Sequence, residues 1–144
     1  MPPDTIAIAA DHAGFEMKNL VRDELARLGH TVLDLGTDSS ESVDYPDFAD
    51  RLAVALADGR AGRGVLVCGT GIGIAMAANR HRHVRAAVCH NTSDAKLARL
   101  HNDANVLALG ARVIGPEVAK DCVATFFATA FEGGRHAKRV AKMS

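Results

Sequence analysis

The sequence contains few aromatic residues and no excess of charge of either sign. It has no Trp, one Tyr and five Phe, and its 17 Lys and Arg residues equal its 17 Asp and Glu residues. Nucleic-acid-binding proteins use basic surfaces and stacked aromatic side chains, and anionic membranes attract basic segments. The composition therefore argues against a protein that binds nucleic acid or a membrane surface.

Cysteine is also scarce, and long apolar runs are absent. The three cysteines form no Cys-x-x-Cys pair, a pattern typical of a reducing cytosol rather than of a disulfide framework. A membrane-spanning helix needs about 20 consecutive apolar residues, and no such run occurs. We therefore expect one cytoplasmic domain formed by residues 1–144, with Cys89 and Cys122 as small core residues.

Residues 65–75 are central to the predicted fold. Their apolar, β-branched first part predicts a strand buried on both faces of a parallel sheet. A glycine-alternating turn, Gly69-Thr70-Gly71-Ile72-Gly73, follows and leads into a helix. The backbone N–H groups of such a turn attract anions, and Cys68 at the strand end would face them. The stretch thus combines a candidate base or nucleophile with candidate donors for an anion.

Strands and helices are predicted to alternate along the whole chain. The strands cover residues 5–10, 31–35, 65–68, 84–89 and 106–109, and the helices 14–28, 46–58, 74–79, 93–100 and 116–131. This order predicts a Rossmann-like three-layer αβα sandwich with a five-stranded parallel sheet. Ligands bind beyond the carboxyl ends of such strands. Asp11-His12, residues 68–73 and His90-Asn91 should therefore share one edge.

The glycine turn lacks the signatures of common phosphate loops. A dinucleotide-binding fingerprint needs glycine at the position of Ile74, and a cysteine phosphatase loop needs arginine there. A P-loop is also excluded, because no Gly-Lys-Ser/Thr follows the turn. Each candidate segment also has a purely structural interpretation. The glycine turn could be a plain connection, Asp11 could cap the following helix, and residues 101–105 could form an ordinary polar loop. His81-Arg82-His83 has metal-like spacing, but without a third ligand nearby a solvated loop is favoured.

A basic tail, residues 132–144, closes the chain. Gly133-Gly134 should end the last helix, and Arg135 and Arg139 would share a helix face suited to holding a phosphate. Because residues 123–131 contain few polar side chains, we expect this helix to pack on a partner subunit and the tail to leave its own domain. A thiol base, amide donors, an acid–base histidine and a phosphate clamp indicate proton transfer next to a carbonyl, with neither a redox cofactor nor a metal.

Six short motifs occur in order along residues 6–139. They are Asp11-His12-Ala13-Gly14-Phe15, Asp44-Tyr45-Pro46, Cys68-Gly69-Thr70-Gly71-Ile72-Gly73, His101-Asn102-Asp103, Asn105-Val106-Leu107 and Glu132-Gly133-Gly134-Arg135-His136. Together they resemble the motifs of the type B ribose-5-phosphate isomerase family, which also includes the subunits of galactose-6-phosphate isomerase.

The resemblance implies interconversion of ribose 5-phosphate and ribulose 5-phosphate through an enediolate, a step of the pentose phosphate pathway, without metal or cofactor. It also implies homodimers, sometimes paired into tetramers, with each active site built from two subunits. The residues it assigns are Cys68 as the base, Thr70 as its positioning residue, the amides of Gly69, Thr70, Gly71, Ile72 and Gly73 as enediolate donors, His101 and Asp11 for ring opening, Asn102 as a sugar contact, and His12, Arg112, Arg135 and Arg139 as phosphate ligands.

Two other functions stay open at this point. An isomerase of a six-carbon sugar phosphate, such as allose or galactose 6-phosphate, would differ mainly in pocket depth, which the sequence does not decide. A noncatalytic phosphosugar- or nucleotide-binding module could use the same fold. The presence of Cys68, His101 and both tail arginines counts against that second alternative.

Overall fold

Strands and helices alternate along residues 5–144, which are the residues that the computed structural model describes. The strands are β1 (Ile6–Ala10), β2 (Val32–Asp34), β3 (Arg63–Cys68), β4 (Ala86–Val88) and β5 (Val106–Gly110). The helices are α1 (Phe15–Arg27), α2 (Tyr45–Ala57), α3 (Ile72–Ala78), α4 (Thr92–Asn102), α5 (Pro116–Ala128) and α6 (Ala137–Ala141). Short 3₁₀ turns at His12–Gly14 and Gly134–His136 precede α1 and α6.

All strand pairs are parallel, and the sheet order is β2-β1-β3-β5-β4. The predicted five-stranded parallel α/β fold is therefore confirmed. From β1 the chain moves outward to β2, whereas from β3 it moves to the other side of the sheet. The carboxyl ends of β1 and β3 thus flank the point where the direction of winding reverses, which is where open α/β sheets bind ligands.

The core consists of two apolar layers, one on each face of the sheet. In β1, Ile6, Ile8 and Ala10 face the layer formed with α1, α4 and α5, whereas Ala7 and Ala9 face the layer formed with α2 and α3. Side chains alternate between faces along a strand, so a strand covered on both sides is apolar throughout. No helix among residues 5–144 combines the length and apolar character needed to cross a membrane.

Two helices end two or more residues away from their predicted ends. Helix α4 continues to Asn102 and ends at Asp103, whose left-handed backbone (φ 46°) stops it and whose N–H donates to the Ala98 carbonyl. His101 and Asn102 therefore lie in a helix and not in a polar loop. Helix α5 ends at Ala128 because Thr129 is extended.

The tail also differs from the sequence-based expectation, because it packs against its own domain. The Glu132 N–H donates to the Leu100 carbonyl of α4 at 3.1 Å, and His136 is 5% exposed. The apolar side chains of α5 do not require a partner, since Val123 and Phe126 are buried in the chain's own core. Contact of the tail with a second subunit stays a prediction.

Candidate active site

Cys68 ends β3 at the carboxyl edge of the sheet, and the following turn curls over its thiol. The side chain is 4% exposed, and its Sγ accepts a hydrogen bond from the Gly71 N–H at 3.1 Å. Gly71 has a φ of +80°, and a Cβ there would lie 2.9 Å from the Leu109 carbonyl carbon. Only glycine satisfies both conditions, so the turn that orients the sulfur depends on this residue.

The predicted amide donors of the turn divide into two groups. The Gly71 amide is used by Cys68, and the Ile72 N–H donates to Thr70 Oγ1 at 3.1 Å. The amides of Gly69, Thr70 and Gly73 have no acceptor within residues 5–144. These three are the donors available for an anion. Thr70 orients the turn rather than hydrogen-bonding to the sulfur.

Asp11 and His12 follow the adjacent strand β1. The Asp11 N–H donates to the Val67 carbonyl at 3.2 Å, which places Asp11 beside the end of β3. Its Oδ1 accepts from the Gly14 N–H at 3.1 Å, so the capping role is realised, and Oδ2 has no partner within the described chain. Nδ1 of His12 lies 3.1 Å from the Val43 nitrogen in the long loop after β2, which holds the ring and leaves Nε2 available.

Arg112 lies on the other side of the Cys68 turn, directly after β5. Its N–H donates to the Gly69 carbonyl at 2.9 Å, and its guanidinium lies over Gly69, where a Cβ would be 3.2 Å from Nη1. His90 and Asn91 share this edge but serve the start of α4, because the Asn91 side chain accepts from the Asp94 N–H. One strand, β5, lies between β3 and β4, so these two residues are not direct neighbours of Cys68.

A second group of predicted site residues lies at the opposite, amino edge of the sheet. Helix α4 starts after β4 and runs back toward the beginning of β5, so its last turn lies near the start of β3, where the Gly64 N–H donates to the Asn105 carbonyl. The tail packs on this turn. One pocket there is lined by His101, Asn102, Arg135, His136 and Arg139.

One chain therefore carries two separate groups of candidate residues. The carboxyl-edge group consists of Asp11, His12, residues 68–73 and Arg112, and the amino-edge group consists of His101, Asn102, Arg135 and Arg139. The six residues of β3 separate the two edges by about 17 Å at 3.3 Å per residue. The alternation of strands and helices in the sequence could have predicted this separation. Residues that follow a strand lie at the carboxyl edge, whereas each helix returns the chain to the amino edge.

His136 and Glu132 are functional candidates that residue-by-residue reasoning missed. With His101 they form the cluster of potential metal ligands found within residues 5–144, with ligand atoms within 4.8 Å of one another. However, the two imidazoles are stacked, with centroids 4.4 Å apart and planes 19° apart. The nitrogen lone pairs lie in the ring planes, so nearly parallel rings do not point at one ion as tetrahedral coordination requires.

The other metal-like pair has a structural role. His81 Nε2 lies 2.9 Å from Asp50 Oδ1, and His83 Nε2 lies 2.7 Å from the Ala53 carbonyl oxygen. Both imidazoles thus connect the loop after α3 to helix α2. His83 nevertheless remains exposed, as the sequence-based expectation of a solvated loop implies, whereas His81 is partly buried.

The three cysteines should differ in reactivity. Burial raises the pKa of Cys89 to about 12 and that of Cys122 to about 11, so both remain protonated at pH 8, and only a thiolate reacts readily. We expect iodoacetamide at pH 8 to label Cys68 first, as measured by peptide mass spectrometry over time. Equal labelling rates at all three positions would contradict this distinction.

Comparisons with known proteins agree with this geometry. Residues 6–143 match the family model described as Ribose/Galactose Isomerase. The chain is 47% identical over 135 residues to ribose-5-phosphate isomerase B of Escherichia coli (strain K12), covering 94% of this chain and 91% of the relative. It is 48% identical over 140 residues to the D-erythrulose-4-phosphate isomerase of Pectobacterium atrosepticum, covering 96% and 92%.

Solved structures show the same fold. The ribose-5-phosphate isomerase B of Clostridium thermocellum superposes with a TM-score of 0.95 at 49% identity, covering 96% of this chain and 94% of that one. The enzyme of the same name from Thermotoga maritima gives a TM-score of 0.94 at 50% identity, covering 96% of both chains.

Proposed function

Because the chain belongs to the ribose/galactose isomerase family, we infer that it is an aldose–ketose isomerase that interconverts ribose 5-phosphate and ribulose 5-phosphate. The observation that carries this inference is the position of Cys68, whose sulfur is held by the Gly71 amide beside the unpaired amides of the turn. A base next to donors for a developing oxyanion is what enolisation requires.

The reaction is balanced within the sugar itself. The Cys68 thiolate removes the proton on C2 of the open-chain aldose, and the electron pair moves to form the enediolate. The proton is returned to C1 and the hydroxyl proton of O2 passes to O1, so the C1 aldehyde becomes an alcohol and the C2 alcohol becomes a ketone. No external oxidant or reductant is consumed. The amides of Gly69, Thr70 and Gly73 are available to bind the oxygens on which negative charge develops.

We propose that each active site is completed by a second copy of the chain. A five-carbon sugar phosphate is too short to contact Cys68 at one edge and His101 at the other edge of the same sheet. In a two-fold symmetric dimer, the carboxyl-edge group of one subunit meets the amino-edge group of the other, which gives two identical sites. Exposed apolar side chains suited to such a contact, Ile72, Met76 and Met143, lie near these groups.

In this arrangement the phosphate is bound by cations from both chains. His12 and Arg112 would approach it from one subunit, and Arg135 and Arg139 from the other. Asn102 would contact the sugar, and Asp11 and His101 would act on the ring oxygen. A homodimer is the smallest assembly that supplies all these groups, and pairing of dimers into a tetramer is compatible with it.

The cytoplasm is the proposed location of this activity, in the pentose phosphate pathway. The three cysteines are free, as is typical of a reducing compartment, and the charged sugar phosphates do not cross membranes unaided. Residues 1–144 would form one isomerase domain, with residues 132–144 contributing to the partner's site.

Replacement of His101 by Ala should separate ring opening from enolisation. Ribose 5-phosphate is mainly a closed furanose, whereas ribulose 5-phosphate has its O5 esterified and cannot close such a ring. We expect kcat on ribose 5-phosphate to fall about 10²-fold. Exchange of the C1 protons of ribulose 5-phosphate with deuterated water, followed by NMR, should fall no more than about threefold. Equal losses in the two measurements would contradict the assignment of His101 to ring opening.

The sugar preference is tested by turnover of four aldose phosphates. We expect the highest kcat/KM for ribose 5-phosphate, compared with erythrose 4-phosphate, allose 6-phosphate and galactose 6-phosphate. A six-carbon sugar is the second candidate because the family description also includes galactose, and a higher kcat/KM for one of them would favour it. Binding of all four sugars without turnover of any would instead identify a noncatalytic module.

A further inference from the structure

The imidazole of His101 is oriented by stacking and not by hydrogen bonding. Neither of its ring nitrogens has a hydrogen-bond partner within residues 5–144. One face of the ring is covered by His136, with 4.4 Å between the centroids and 19° between the planes. Both nitrogens therefore remain available to a substrate, while rotation of the ring about its Cβ–Cγ bond would drive its edge into the neighbouring imidazole.

His136 is itself held on several sides. It is 5% exposed, its Nε2 lies 3.2 Å from Glu132 Oε1, and its N–H donates to the Gly133 carbonyl at 3.1 Å. The Glu132 N–H donates to the Leu100 carbonyl, one residue before His101. The backbone hydrogen bond that attaches the tail to α4 therefore also places the Glu132–His136 pair directly beside the His101 ring.

We infer that His136, held by Glu132, is a positioning residue that keeps the His101 imidazole in the plane needed for ring opening. This inference rests on the proposed function, because it assigns His136 to the step in which His101 acts. A misplaced catalytic group costs up to about 10² in rate, so loss of the stack should slow ring opening without removing the chemistry of enolisation. Neither Glu132 nor His136 is among the residues proposed to bind the sugar or the phosphate. Substitution of His136 should therefore leave substrate affinity unchanged.

The test compares side chains of similar bulk with and without a flat ring. His136→Phe keeps a ring against His101, whereas His136→Leu fills the buried space without one. We expect His136→Leu to lower kcat on ribose 5-phosphate about tenfold with KM within about twofold of wild type. His136→Phe should retain at least half of the wild-type kcat. Deuterium exchange into ribulose 5-phosphate should stay within about twofold in both variants. Thermal melting and sedimentation confirm that folding and assembly are intact.

Several outcomes would overturn the inference. Equal kcat for the Phe and Leu variants would show that the stack does not position His101, and parallel loss of deuterium exchange would show a general structural effect. A metal bound stoichiometrically, lost in Glu132→Gln and required for activity after EDTA treatment, would show that the cluster is a metal site. Inactivity of the wild-type protein on ribose 5-phosphate would instead refute the proposed function.

Discussion

The Cys68→Ser variant is expected to lose at least 10²-fold in kcat for ribose 5-phosphate while remaining folded and able to bind the sugar phosphate. General base catalysis contributes 10² to 10⁴ in rate, and a serine hydroxyl is far too weak an acid to supply the base at neutral pH. The exchange of sulfur for oxygen is small in volume, and the Gly71 N–H keeps an acceptor in place of Sγ. Steady-state kinetics measures kcat, thermal melting measures folding, and calorimetric titration with substrate measures binding of the sugar phosphate.

A second cysteine provides the control for this substitution. Cys122 lies on α5, outside the carboxyl-edge group, and is fully buried in the core layer that this helix covers. Cys122→Ala should lower the melting temperature, because it leaves a small cavity, and should keep kcat within about twofold of wild type. If Cys68→Ser retained more than a tenth of the wild-type kcat, the assignment of Cys68 as the base would be wrong.

Activity should reappear when two inactive subunits are combined in one dimer. One subunit carries Cys68→Ser, and the other carries Arg135→Ala together with Arg139→Ala. If sites are shared, the heterodimer pairs the intact Cys68 of the second subunit with the intact tail of the first, and its other site has both defects. A heterodimer isolated with two different affinity tags should therefore show about half of the wild-type activity per dimer.

The parent homodimers are the controls for this experiment. Each should be inactive or severely impaired, because every one of its sites contains the same defect. A heterodimer as inactive as its parents would mean that the two groups act within one chain, which would contradict the proposal of shared sites. His101→Ala can replace the arginine variant as an independent repeat, because His101 belongs to the same amino-edge group.

Local sequence signals were sufficient for most elements of the fold. The apolar composition of β1, β3 and β5 follows from coverage on both faces, and this pattern is visible without any knowledge of the neighbours. Proline at the first positions of α2 and α5 marks their starts, because proline fits the first turn of a helix. The strand-end position of Cys68 and the glycine turn after it were predictable for the same reason, since they depend on contiguous residues.

Long-range packing determined what these signals could not. The placement of β5 between β3 and β4 separates His90-Asn91 from Cys68 by one strand, and no local pattern specifies the order of strands. The return of the tail to α4 involves the hydrogen bond from the Glu132 N–H to the Leu100 carbonyl, which links residues 32 positions apart. The side chains of His101 and Cys68 suit one reaction, yet the direction of α4 places them at opposite edges of the sheet. Side-chain chemistry is a property of each residue, whereas the distance between residues depends on the packing of the whole sheet.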